Sequence, residues 1–218
     1  MTKRIALFVL ALLMPALLLP ASSFAQSGTA SFTPVEGTDY AVIEGGRPYR
    51  PLKGKIEVVE VFGYWCIHCA HFQPEVDAWK RKLPSDVRFT YVPAVFRDND
   101  PFARAYFAAE RTGALARTHD ALFDAVHVQQ TLAQNATIDE LAGFYASQGF
   151  DAAKMKAAME APAVDAQLAA AKAFAQRSDI PGTPSLVING KYRVEGRTAE
   201  DRLRIASALI AMERQAKR

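Results

Sequence analysis

Two hydrophobic spacings alternate along this chain. Residues 56–62 form a short run rich in Val and Ile, with the length and texture of a buried strand. Gly63 breaks it. Over residues 66–83 the apolar spacing becomes helical, and Cys69, Phe72, Val76, Trp79 and Leu83 fall near one face. Pro74 lies inside that stretch and is expected to kink it, and Pro84 ends it. Residues 87–96 return to a β-rich pattern. Residues 40–43 predict a shorter strand, followed by the turn residues Gly45, Gly46 and Pro48.

The texture then changes. From 101 to 176 the chain is Ala-rich, with helix-forming segments separated by Gly113, Gly143, Gly149 and Pro162 and no strand signal of comparable strength. Strand character returns at 186–188 and 192–194, on either side of Asn189-Gly190, a strong hairpin signal. A last helix is predicted over 199–215, with Leu203, Ala206, Leu209, Ile210 and Glu213 near helical spacing. The order is β-α-β, a helical block, then β-β-α. It predicts an α/β fold: a small mixed sheet covered by helices, with an all-α domain inserted between its halves. The expected boundaries are 39–98 for the first half, 99–176 for the insertion and 177–218 for the second half.

The first residues read as an address. Lys3 and Arg4 precede an apolar run from 5 to 19, and Ser23-Phe24-Ala25 supplies the small residues a signal peptidase reads. A signal peptide over 1–25, cleaved after Ala25, is expected, followed by a flexible segment over 26–38 rich in Ser, Thr, Gly and Pro. The run is short for a membrane span and carries Pro15 and Pro20. No cysteine follows it, which excludes a lipoprotein. Cleavage lowers the formal charge from +3 to +1, because Lys3 and Arg4 leave and no acid does. A near-neutral chain has no basic footprint for nucleic acid. Export also places the thiols outside the reducing cytosol.

Cys66 and Cys69 are the only two cysteines, in the string Cys66-Ile67-His68-Cys69 between a strand and a helix. As a staple the pair is weak, since closing so short a loop constrains the unfolded chain by only about 2 kcal/mol. As chemistry it is well placed. A thiol at a helix start meets unpaired N–H groups and the positive end of the dipole, which favour thiolate. A Cys-x-x-Cys in this setting reads as a thioredoxin-like redox site. His71 extends the string, but ligands this close along one helix cannot all converge on one ion. Haem attachment needs His where Ala70 stands. His119 and His127 have no acidic or cysteine partner in view and read as ordinary.

The stretch from Glu60 through Cys69, with its Cys-x-His-Cys centre, its acid six residues before the first Cys and a helical block before Thr183-Pro184, resembles the DsbA family of periplasmic thiol–disulfide oxidoreductases. The resemblance runs from about residue 40 to 215 and implies a thioredoxin-like fold. It implies Cys66 as the exposed nucleophile, Cys69 as the buried resolving thiol and His68 as a group that lowers the Cys66 pKa. Glu60 is implied as a buried proton relay to Cys69. Thr183–Pro184 is implied to be a cis bond that pairs with substrate, with Trp65 bordering the site. Phe62 and Tyr64 are further candidates for an exposed apolar rim. Ile67 and Thr183 stand where the best-known members carry proline and valine. The activity implied is donation of the Cys66–Cys69 disulfide to folding exported proteins with free thiols. Re-oxidation would fall to a quinone-linked membrane protein of the DsbB type. No cofactor beyond the disulfide, a monomer and a periplasmic location are expected. Two other readings stay open: a reductase or isomerase on the same scaffold, and a periplasmic metal-binding or chaperone module.

Overall fold

The computed structural model describes residues 32–97 and 99–216, so the leader assigned to 1–25 lies outside the described residues. Its strands are β1 (Tyr40–Val42), β2 (Ile56–Phe62), β3 (Val87–Pro93), β4 (Ser185–Ile188) and β5 (Tyr192–Val194). Its helices are α1 (Ile67–Lys80), α2 (Pro101–Thr112), α3 (Leu115–His127), α4 (Ile138–Ser147), α5 (Ala152–Met159), α6 (Pro162–Arg177) and α7 (Ala199–Ala216). The strands form one sheet in the order β1-β5-β4-β2-β3, with β2 and β3 parallel and the other pairs antiparallel.

Every residue of β2 is buried, as expected of a strand covered on both faces. Alternation divides its side chains. Ile56 and Val58 join Leu186, Ile188 and apolar residues of α1 and α7 in one core. Val59 and Val61 join Val187 and the block α2–α6 in the other. The sheet with an all-α insertion between β3 and β4 is the α/β arrangement the element order predicts.

Local chemistry starts and stops these elements. Asp100 caps α2 by accepting from the N–H groups of Phe102 and Ala103, with Pro101 in the first turn, and Gly113 ends it at φ 75°. The β4–β5 hairpin turns on Asn189 and Gly190, both left-handed at φ 51° and 68°. Buried Glu213 on α7 accepts from the Asn189 side chain and, at 3.0 Å, from Lys191 Nζ, which ties that turn to the helix.

Some sequence expectations are revised. α1 ends at Lys80, short of Leu83. β3 stops at Pro93, because the chain then leaves the sheet for the helical block. Residues 32–38, read as part of a flexible segment, are held. The Val35 N–H donates to Asp39 Oδ2 at 2.8 Å, and the Arg204 guanidinium lies 3.5 Å over the Phe32 ring.

Candidate active site

The site is built where β2 runs into α1. After Gly63 breaks the strand, the Cys66 N–H donates to the Gly63 carbonyl at 3.0 Å and closes a turn. A side chain at position 63 would stand 2.7 Å from Trp65 Cε2, so glycine there lets the indole lie across the backbone. Cys66 is the N-cap of α1, with extended backbone at φ −87°, and its Sγ accepts from the Cys69 N–H at 3.2 Å. The sulfur takes the place of the oxygen in an ordinary cap and meets the same donors and dipole.

Those surroundings separate the two sulfurs. The Cys66 pKa is pushed down to about 5. The largest cause is a hydrogen bond with the Cys69 thiol; burial opposes it, and Thr183 and the main-chain N–H groups of Cys69 and His68 add to it. Cys69 is pushed far above the ordinary thiol range, first by burial, then by its bond to Cys66 and the negative charge of that neighbour. Cys69 is 0% exposed and Cys66 only 7%. The expected exposed nucleophile is therefore a largely covered one, because the Thr183 segment lies over it, with the Thr183 carbonyl oxygen 3.4 Å from Cys66 Sγ. That segment comes from 117 residues away, beyond the reach of local pattern. The Thr183–Pro184 bond is cis, as the resemblance implies.

Glu60 is 1% exposed, and its Oε2 has no hydrogen-bond partner. Burial pushes its carboxyl up to about 8 against the pull of Lys80. Glu57, three residues earlier on the same strand, is also buried. It accepts from the N–H groups of Tyr49 and Arg50 and pairs with Arg88 at 2.5 Å. One glutamate is satisfied and the other is left with free proton-accepting capacity beside the thiols, since Glu60 adds to the charge felt by Cys69.

His68 and His71 are exposed while Cys69 is wholly buried, so the four ligand-type residues of the string diverge. Among the described residues no group of three or more His, Cys, Asp or Glu is placed to hold a metal ion. His68 reaches the thiolate through its main-chain N–H; its imidazole stands in solvent. The apolar rim also differs from expectation. Phe62 and Tyr64 are buried in the core, Pro184 is buried beside Thr183, and only Trp65 remains half-exposed. Phe96, 57% exposed, packs on the Trp65 ring at 5.8 Å, and Ile67 is 39% exposed. Neither was expected at the rim: Phe96 closes the β-rich run 87–96, and Ile67 lies between the two cysteines. Thr183 and Pro184 face His68, Phe72 and Glu75 across a cleft of about 380 Å³. Tyr91, opposite Glu60 in the β2–β3 register, was also missed: its hydroxyl receives hydrogen bonds from Gln73 at 3.0 Å and Lys80 at 3.1 Å.

An ionisable cap sulfur, a buried resolving thiol and an opposing proline segment on this sheet belong to the thioredoxin-like thiol–disulfide oxidoreductases. The sequence model of the thioredoxin family matches residues 52–206. The thiol:disulfide interchange protein DsbA of Pseudomonas aeruginosa is 35% identical over 210 residues, covering 94% of this chain and 97% of its own. That of Azotobacter vinelandii is 38% identical, with coverages of 87% and 95%. The crystal structure of the DsbA oxidoreductase from Xylella fastidiosa is 48% identical, has a TM-score of 0.82, and matches over 84% of this chain and all of its own. The chain belongs to the DsbA family, and it is a thiol–disulfide oxidoreductase.

Proposed function

We propose that the protein is an exported oxidase that passes the Cys66–Cys69 disulfide to folding proteins carrying free thiols, in the periplasm and as a monomer. The observation that carries this reading is the opposite proton affinity of the two sulfurs, with Cys66 near 5 and Cys69 far above its ordinary range. A substrate thiolate attacks Cys66 Sγ. The Cys66–Cys69 bond breaks, and the Cys69 sulfur leaves as a poor leaving group that needs a proton. Glu60, protonated at neutral pH, supplies it and regains one from solvent. The substrate's second thiol, as thiolate, then attacks the substrate sulfur of the mixed disulfide. Cys66 departs as a stable thiolate, which makes this step easy. The substrate has lost two electrons and two thiol protons. The enzyme has gained the electrons, keeps one proton on Cys69 and leaves the other in solvent.

Thr183 main-chain groups pair with the substrate backbone, and Trp65 with Phe96 borders the reacting sulfur. His68 adds its N–H to the cap. Because the thiolate stabilises the dithiol, the disulfide is a strong oxidant, the behaviour documented for DsbA proteins. Re-oxidation then needs a quinone-linked membrane protein of the DsbB type. The redox disulfide itself carries the electrons, and the reaction calls for no further cofactor.

Equilibration with glutathione buffers tests the direction of flow. An oxidase stays reduced in buffers that leave thioredoxin oxidised, and its reduced form unfolds at higher denaturant concentration than its oxidised form. A potential near the thioredoxin value of about −270 mV, or a reversed order of stability, would make it a reductase.

A further inference from the structure

His119 and His127, which the sequence offers as ordinary residues, both bind one residue of the active-site turn. His119 Nδ1 and the Tyr64 hydroxyl share a hydrogen bond of 2.7 Å, and His127 Nε2–H donates to the Tyr64 carbonyl at 2.7 Å. Both histidines lie on α3, eight residues apart with Phe123 midway, so the three form one stripe of the helix. Phe123 packs on the Tyr64 ring at 4.9 Å and stacks with His127 at 6.4 Å. One helix of the inserted block thus holds Tyr64 at its side chain and its main chain.

We propose that α3 is the anchor of the catalytic turn, with His127 and His119 as positioning residues that act on Cys66 through Tyr64. Tyr64 sits inside the turn that Gly63 opens and Cys66 closes. Fixing its carbonyl fixes the Tyr64–Trp65 peptide plane and so the entry of Cys66 into its cap position. The 3.2 Å approach of the Cys69 N–H to Cys66 Sγ depends on that entry. The partners suit permanent duty. Burial pushes His119 down to about 3, so it stays neutral, and pushes the Tyr64 phenol well up, so it keeps its proton. Phe62, Tyr91, Tyr106 and Phe123 pack around the His119 ring, with centroids from 4.4 to 6.2 Å away. His127 is the half-buried last residue of α3, where substitution is tolerated best.

The inference deepens the proposed function, and its test is read without substrate. In His127→Ala the thiolate absorbance midpoint of Cys66 rises by about one unit, a tenfold weaker hold on the charge. His127→Gln, which keeps an N–H donor at the same reach, restores the wild-type midpoint to within a few tenths. Tyr64→Phe keeps the ring, loses the His119 bond and gives a smaller rise. An unmoved midpoint in His127→Ala, with stability lowered equally in both redox forms, would make the bond merely structural and overturn the inference. Should His127→Ala not fold, an unmoved midpoint in Tyr64→Phe overturns it. A wild-type midpoint in the ordinary thiol range would instead sink the proposed function.

Discussion

The helix start around Cys66 and the buried floor around Cys69 are one helical turn apart and do opposite things to a proton. At the helix start, donors converge on a sulfur: the Cys69 N–H, the Cys69 thiol, the Thr183 side chain and the His68 N–H. On the floor, Cys69 has no exposure and feels the charge of Glu60, whose Oε2 has no hydrogen-bond partner. Both regions are buried, so burial alone does not decide the ionisation of a thiol. The donors supplied to the charged form decide it. The pair works because its members are unlike: one leaves readily as an anion, and the other is held as a thiol.

The largest test of this contrast exchanges the roles. Cys66→Ser should remove disulfide exchange with insulin or a model peptide entirely. Cys69→Ala should keep Cys66 reactive and accumulate mixed disulfides, visible as thiol-sensitive adducts on a gel. Equal loss in the two variants, with no adducts from Cys69→Ala, would break the division of labour.

A smaller effect concerns the floor. The Glu60 pKa is raised to about 8 from an ordinary value of 4.5. The folded state therefore holds a proton that the unfolded state has lost over that window. Its contribution to stability is complete below pH 4.5 and is lost as pH rises through 8. Glu60→Gln should flatten that decline in the denaturation midpoint and slow the release of Cys69 in single-turnover exchange. An unchanged pH slope would mean that Glu60 finds a partner in solution and is no proton reservoir.

The two regions were not equally readable from sequence. The cysteine pair, the β2 run and the Asn189-Gly190 turn are local patterns, and local spacing largely fixes them. Glu60 was legible as a buried acid, but the lack of a partner for its Oε2 was not. Glu57 three residues earlier has the same sequence context, and only the approach of Tyr49, Arg50 and Arg88 distinguishes them. The cover over Cys66 was hidden for the same reason, since the cis bond could be inferred by resemblance but the lie of the Thr183 carbonyl could not. The spacing of His119, Phe123 and His127 was visible as one helical face. What that face touches depends on where α3 docks, and no periodicity in the chain reports that.

The thiolate absorbance of Cys66, followed with pH in the reduced wild-type protein, tests the central claim most directly. The Cys66 pKa is lowered from 9.0 to about 5, so the absorbance should rise with a midpoint near 5. The stability of the reduced form should then be complete above pH 9 and fall as pH drops toward 5. A midpoint near 9, with reduced and oxidised forms equally stable across that range, would contradict it.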